Sequence, residues 1–277
     1  MRRRQLGLAL REVREQAKLT MDTLGARLDL SRSAIGAFES GRNLPSQPVL
    51  EAILRECRAL DRFDLLNELR KEAKKPGWWS THRLPPWLKA YVGLETDAIG
   101  CRVFGLELVP GLLQTESYMR RLHSIGKLSE DEIDRRVTAR QQRQQRLVGS
   151  NQIAFSAVVS EAALNRLLAA PDLALPQLRH LASSAQLPSV SLRILPFSVG
   201  LHRSMSGSFT LLEFAPGVSP QIGYQEYAVG AHLVDDPKDV LELGHVYDEL
   251  HAEALDERES LGLISGLIVI ERGDMSG

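Results

Sequence analysis

The stretch Thr20–Gly41, TMDTLGARLDLSRSAIGAFESG, constrains this chain more than any other. It holds two short helical patterns with one tight connection between them. Thr20 stands as an N-cap, and Leu24 and Leu28 lie four apart on one face. The small Gly25 and Ala26 leave room for a second helix to pass close by. Asp29 and Leu30 end the first segment. Ser31 is a second N-cap, Ile35 and Phe38 give the next helix its inward face, and Gly41 closes it as a C′ residue. Two helices of about two turns joined by so short a turn make a helix-turn-helix.

The outward face of the second helix gives the pair a chemistry. Arg32, Ser33, Gly36 and Ala37 are polar or small and point away from the apolar pair. A helix that enters the major groove needs a slim outer face with donors near its N-terminus. Arg can fork onto guanine, and Ser can reach a base edge or a phosphate. The plainer alternative is an ordinary helical pair with a solvated face.

The strings Leu30-Ser31-Arg32-Ser33-Ala34-Ile35 and Phe38-Glu39-Ser40-Gly41-Arg42-Asn43-Leu44-Pro45-Ser46 resemble the signature of the Xre/lambda-repressor-like regulators, over residues 5–75. The resemblance implies that Ser31-Arg32-Ser33 opens the recognition helix, and that the Glu39–Pro45 segment caps it and leads into a fourth helix. It implies a DNA-binding set of Thr20, Met21, Ser31, Arg32, Ser33, Gly36, Ala37, Arg42 and Asn43, with Thr20, Arg42 and Asn43 on phosphates. Met21 stands where the family often has Gln, and Ala37 where a polar residue is common; both departures remove possible contacts. The implied assembly is a homodimer whose two recognition helices enter successive major grooves, about 34–36 Å apart, of a near-palindromic double-stranded operator.

The rest of the first 75 residues fits such a head. Leu6, Leu10, Val13 and Ala17 predict a first helix over 6–17. Arg2, Arg3 and Arg4 before it could be a nucleic-acid arm, but a disordered charged start is the plainer reading. Val49, Ile53 and Leu54 mark a fourth helix, and Leu60, Phe63, Leu65, Leu66 and Leu69 a fifth. Residues 1–75 carry 16 basic against 11 acidic side chains, and residues 76–277 carry 18 against 24, so a net charge of -1 conceals a basic head and an acidic body. That asymmetry suits one end meeting phosphate.

Residues 76–93, PGWWSTHRLPPWLKAYVG, form a junction that contains all three tryptophans, Trp78, Trp79 and Trp87, with Tyr91 close by. They could line a ligand pocket; the plainer reading is a staple between two domains. From 94 to 277 a second unit follows. Phe104, the string Glu107-Leu108-Val109-Pro110-Gly111-Leu112-Leu113-Gln114-Thr115, Leu192–Phe197 and Gly207–Phe214 resemble the hallmarks of the DUF5753 domain. That domain follows an Xre-type head in many actinobacterial regulators. The resemblance implies an antitoxin-like regulator and, as partner, a small DUF397-like protein; it supplies no ligand.

Read from its residues, this second unit is α+β. Helices are predicted over 115–123, from a Ser129/Glu132 capping box to Leu147, over 161–168, over 175–185 and from Asp236-Pro237 to Leu255. Strands are predicted over 153–159, 190–195, 209–214, 222–227 and, at the end, 263–270. The whole is thus an all-α five-helix head followed by an α+β domain with a small mixed sheet. Arg135, Arg136, Arg140, Arg143 and Arg146 share one helix; they could form a second phosphate-binding face, and a solvated face is the plainer reading.

Other classes find little support. No apolar run reaches the length of a membrane span, and the start lacks a signal-peptide core. Cys57 and Cys101 sit in apolar patterns and read as reduced core residues of a cytoplasmic protein, nucleoid-associated when on DNA. No nucleophile elbow, P-loop or Cys-x-x-Cys occurs, so no catalytic residue is assigned, the chain is expected not to be an enzyme, and no cofactor is expected. His245 and Glu249 have metal-chelating spacing on a helix without a third ligand nearby, so no metal is assigned. His202, in the loop after Leu195-Pro196-Phe197, is a candidate ligand-lip residue. Ligand or partner binding is thus placed on Trp78, Trp79, Trp87, Tyr91 and His202.

Overall fold

The computed structural model describes residues 2–75, 82, 84–126, 128–215 and 220–274. The chain divides into two compact units, with the break after the fifth helix.

The first unit is a bundle of α1 (Arg2–Gln16), α2 (Met21–Leu28), α3 (Arg32–Glu39), α4 (Gln47–Glu56) and α5 (Phe63–Lys74). Each cap forms as its sequence dictates. Thr20 Oγ1 accepts from the Thr23 amide at 3.0 Å, Ser31 Oγ from Ala34 at 3.1 Å and Ser46 Oγ from Val49 at 3.4 Å. Asp29 ends α2 in the left-handed region at φ 53°, and the Leu30 amide closes back onto the Gly25 carbonyl at 2.8 Å. A Cβ on Gly25 would lie 2.5 Å from the Leu30 carbonyl oxygen. The small residue there admits the turn itself and not a passing helix, while Ala26 is exposed. Leu6, Leu10, Val13, Leu24, Ile35, Leu50 and Leu54 are buried in one core, each contributing roughly 1.5–3 kcal/mol of transfer free energy. Arg2, Arg3 and Arg4 correct the expected disordered start: they form the first turn of α1, where Arg2 pairs with Glu72 at 2.6 Å.

The second unit is built on α6 (Pro86–Asp97), β1 (Gly100–Gly105), α7 (Glu116–Ser124), α8 (Glu130–Gln144), β2 (Ala154–Ser160), α9 (Glu161–Leu168), α10 (Pro171–Ser184), β3 (Val190–Leu195), β4 (Phe209–Glu213), β5 (Ile222–Tyr227), β6 (Gly230–Val234), α11 (Pro237–Glu253) and α12 (Glu257–Asp274). Its strands form one six-stranded mixed sheet in the order β3-β2-β1-β4-β5-β6. β1 pairs parallel with β2, from Gly100↔Ala154 to Gly105↔Val159, and antiparallel with β4, from Gly100↔Glu213 to Phe104↔Phe209. The helical crossover α9–α10 makes β2 and β3 parallel, whereas β4, β5 and β6 form an antiparallel meander. α11 packs Val240, Val246, Tyr247 and Leu250 onto Phe104, Phe209 and Leu211.

Three expectations need correction. Residues 263–270 are not a strand but lie within α12. Their β-branched run reads as a strand, yet among the described residues of α12 only Ser260 and Ile264 are fully buried, at helical spacing, and an Asp256/Glu259 cap starts the helix. β1 and β6 are strands that the pattern did not predict. β1 is buried at both ends and shows no alternation, and β6 is a short edge strand. Arg143 and Arg146 belong to neither a solvated nor a phosphate-binding face. Arg143 forks onto Glu95 with both bonds at 2.7 Å. Arg146 donates to the Glu95 carbonyl at 2.9 Å, the Ala98 carbonyl at 2.7 Å and the Thr96 carbonyl, tying the free carbonyls at the end of α6.

Candidate functional site

α3 presents the candidate nucleic-acid face. Ser31, Arg32 and Ser33 are exposed at its N-terminus, where Ser31 caps the Ala34 amide. Ser31 Oγ and Ser33 Oγ lie 2.8 Å apart, and the Arg32 guanidinium rests 3.4 Å from Asp22 of α2. Both groups of that pair are largely exposed, so Arg32 can leave Asp22 at little cost. Thr20 is exposed at the N-terminus of α2. Arg42 and Asn43 are exposed beyond α3, with Arg42 Nε donating to Ser40 Oγ at 3.1 Å. Gly36 and Ala37 are half-buried, and Met21 turns partly into the core, 3.8 Å from where a Cβ of Gly36 would stand. The slim part of α3 is therefore partly an internal packing surface.

What holds α3 at this angle was not read from the sequence. Arg14 of α1 and Glu39 at the end of α3 are both buried and form a bidentate pair, Nε–Oε1 at 2.6 Å and Nη2–Oε2 at 2.9 Å. Arg14 also donates to the Leu19 carbonyl at 2.8 Å, so a single guanidinium binds the loop before α2 and the end of α3. Its hydrogen bonds to Glu39 hold its pKa above the usual guanidinium value despite burial. The available signal was Arg14 itself, a charge on the apolar stripe beside Leu10, Val13 and Ala17. Close by, a Cβ on Gly7 would lie 2.4 Å from the Glu39 carbonyl oxygen, so α1 and α3 cross nearly backbone to backbone.

The ligand candidates do not converge. Trp78 and Trp79 lie outside the described residues. Trp87 is half-buried on α6. His202 packs edge-on against Phe104 at 5.5 Å between ring centroids and lines a shallow cavity with Arg203 and Glu249. Tyr91 alone meets a site of mixed chemistry: a cavity of about 170 Å³ bounded by Val103–Gly105 of β1, Val109–Gly111, Gln114, Phe209, Tyr224 and Arg140. There Tyr91 donates to Glu95 at 2.7 Å and stacks on Tyr224 at 4.2 Å. Burial alone would raise the Glu95 carboxyl, but the charge and hydrogen bonds of Arg143 hold it below the usual carboxylate value.

A larger cleft, about 560 Å³, lies beside β2 and β3. Its charges are already partnered: Arg102 with Asp248 at 3.0 Å and Glu213 at 2.9 Å, and Glu257 with Ser191 at 2.6 Å. His245 faces Glu242 at 3.7 Å, and Glu249 pairs with Arg203 at 3.0 Å. No group of three candidate metal ligands occurs among the described residues. Cys57 and Cys101 are buried free thiols, both raised by burial. No helix among the described residues is long and apolar enough to cross a membrane.

Residues 5–72 match a helix-turn-helix domain, in agreement with the geometry of α2 and α3 and with a DNA-binding regulator. No curated protein and no solved structure matches the chain. Residues 88–266 match a domain of unknown function, DUF5753, over more than half of the chain, and the chain belongs to the DUF5753 family.

Proposed function

We propose that this protein is a sequence-specific transcriptional regulator of Xre type that acts by binding rather than by catalysis. It works as a homodimer on a near-palindromic operator, and its second unit takes up a regulatory input. The observation that carries the reading is the exposed Ser31-Arg32-Ser33 tip of a helix fixed from behind by the buried Arg14–Glu39 pair. A base-reading helix has to be held rigidly while its donors stay available, and Arg32 is engaged only by the exposed Asp22 among the described residues. Arg32 supplies the fork for a guanine edge. Thr20, Arg42 and Asn43 stand where phosphate contacts would set the register. The input is a small DUF397-like partner protein, as the resemblance of the second unit suggests, or a ligand.

The test is binding to a duplex selected from a random library, set against a scrambled duplex and read by fluorescence anisotropy. Arg32→Ala is expected to lose roughly 1–3 kcal/mol on the selected site and clearly less on the scrambled one. Equal losses on both would show that Arg32 meets only backbone. A protein that selects no site would overturn the reading altogether.

A further inference from the structure

Arg140 is the charged side chain of the second unit whose surroundings are hardest to account for by folding alone. It projects from the middle of α8 into the cavity at the carboxyl end of β1. The wall around it mixes the apolar faces of Tyr91, Val103 and Tyr224 with the polar Gln114, Thr210 and Glu226. Among the described residues no carboxylate pairs with it, and its one hydrogen bond runs from Nη1 to the side-chain oxygen of Gln114. Among the described residues Nε and Nη2 have no acceptor, and the side chain lines the cavity. The next two arginines along the chain behave otherwise. Arg143 is neutralised by Glu95, and Arg146 is absorbed by carbonyls.

A guanidinium facing a cavity with two donors unspent is a poor device for stability. Desolvation penalises its charge, and the neighbouring Arg143 adds to the penalty. Such an arrangement becomes favourable when an anion arrives, because a guanidinium presents paired donors at the spacing of a carboxylate. Gln114 is itself fixed, donating from Nε2 to the Val109 carbonyl at 2.7 Å, and so holds Arg140 in place from the side away from its free donors. Glu226 stands on the rim, but Tyr224 donates to it at 2.8 Å and it forms no ion pair with Arg140.

We propose that this cavity binds a small organic carboxylate with an apolar body, the carboxylate on Arg140 and the body against Tyr91, Val103 and Tyr224. The cavity's 170 Å³ limits the ligand to the size of a single ring with a short acidic arm. This names the ligand class for the second unit's input, and it rests on the reading that this unit senses. Binding is measured without DNA, so failure of the DNA reading and failure of this one are distinguishable.

The test is isothermal titration of the full chain with phenylacetate and, separately, with the uncharged phenylacetamide. Phenylacetate is expected to bind saturably and at least tenfold more tightly than the amide. Arg140→Gln is expected to abolish that preference, whereas Arg121→Gln, an exposed arginine, retains it. Glu226→Gln is expected to tighten phenylacetate, since it removes a like charge from the rim. Absence of phenylacetate binding, equal binding of acid and amide, or an unchanged preference in Arg140→Gln would each overturn the proposal. The acid–amide comparison on the unaltered chain decides the matter even if Arg140→Gln fails to fold.

Discussion

At the scale of single residues, the second unit holds groups whose proton affinity differs between the folded and unfolded chain. His123, at the end of α7, is lowered to about 4 by burial, with Arg140 and Arg136 adding to the effect, and its Nε2 has no acceptor or donor. An unfolded His takes its proton near pH 6.5. Between about pH 6.5 and 4 the unfolded chain therefore binds a proton that the folded chain refuses, and stability falls as pH falls. His180 and His251, lowered chiefly by burial, add to the same slope. Glu95 enters later. Its carboxylate is held low by Arg143, so its contribution is fully present above the ordinary carboxylate range and is lost as pH drops through its folded value. Urea unfolding at pH 7, 5.5 and 4.5 is expected to show a progressive loss, with a smaller loss between pH 7 and 4.5 in His123→Asn. An identical loss in the variant would remove His123 from the account. Glu95→Gln is expected to cost about 3–5 kcal/mol at pH 7, because it leaves Arg143 buried without its counter-ion.

At the scale of elements, the crossing of α1 and α3 sets the pose of the reading helix. Gly7→Ala puts a methyl into the Glu39 carbonyl, and the helices have to part. The expected outcome is a loss of about 1–3 kcal/mol in stability from overpacking, together with weaker operator binding by folded protein, because α3 shifts at its root. Undiminished affinity would mean that the pose does not depend on this contact. The same elements show what a sequence discloses. Thr20, Ser31 and Ser46 announce their helices because a cap acts on amides three residues away, and the apolar spacing of Leu24, Leu28 and Ile35 is equally local. The Arg14–Glu39 pair spans 25 residues, and Arg143–Glu95 spans 48. Nothing in local periodicity marks which charge will meet which. β1 escaped because both its neighbours bury it, and α12 was misread because Leu263–Ile270 is rich in β-branched residues that an otherwise well-capped helix tolerates. Of the candidate sites, the tip of α3 was legible from its motif. The cavity was not, since its walls come from β1, α8 and β5, and only the Val109–Gln114 string gave a sign of it.

At the scale of the whole molecule, the two units have separate cores. Among the described residues, the first unit's core lies between Leu6 and Leu69, and the first strand of the sheet starts at Gly100. Residues 1–75 are therefore expected to fold alone, with a helical circular-dichroism spectrum and a cooperative thermal transition. A fragment that stays unfolded would show that the first unit borrows stability from the rest of the chain.

The register of β1 carries a consequence for how the protein is made. Gly100 pairs with Glu213, so the centre of the sheet stays open until the ribosome has passed β4. The helix-turn-helix is complete long before, since chains emerge amino-terminus first and local helical contacts form fastest. During translation there is thus an interval in which the nascent chain can hold its reading head in final form while the part that takes up a signal is still an unfinished set of strands.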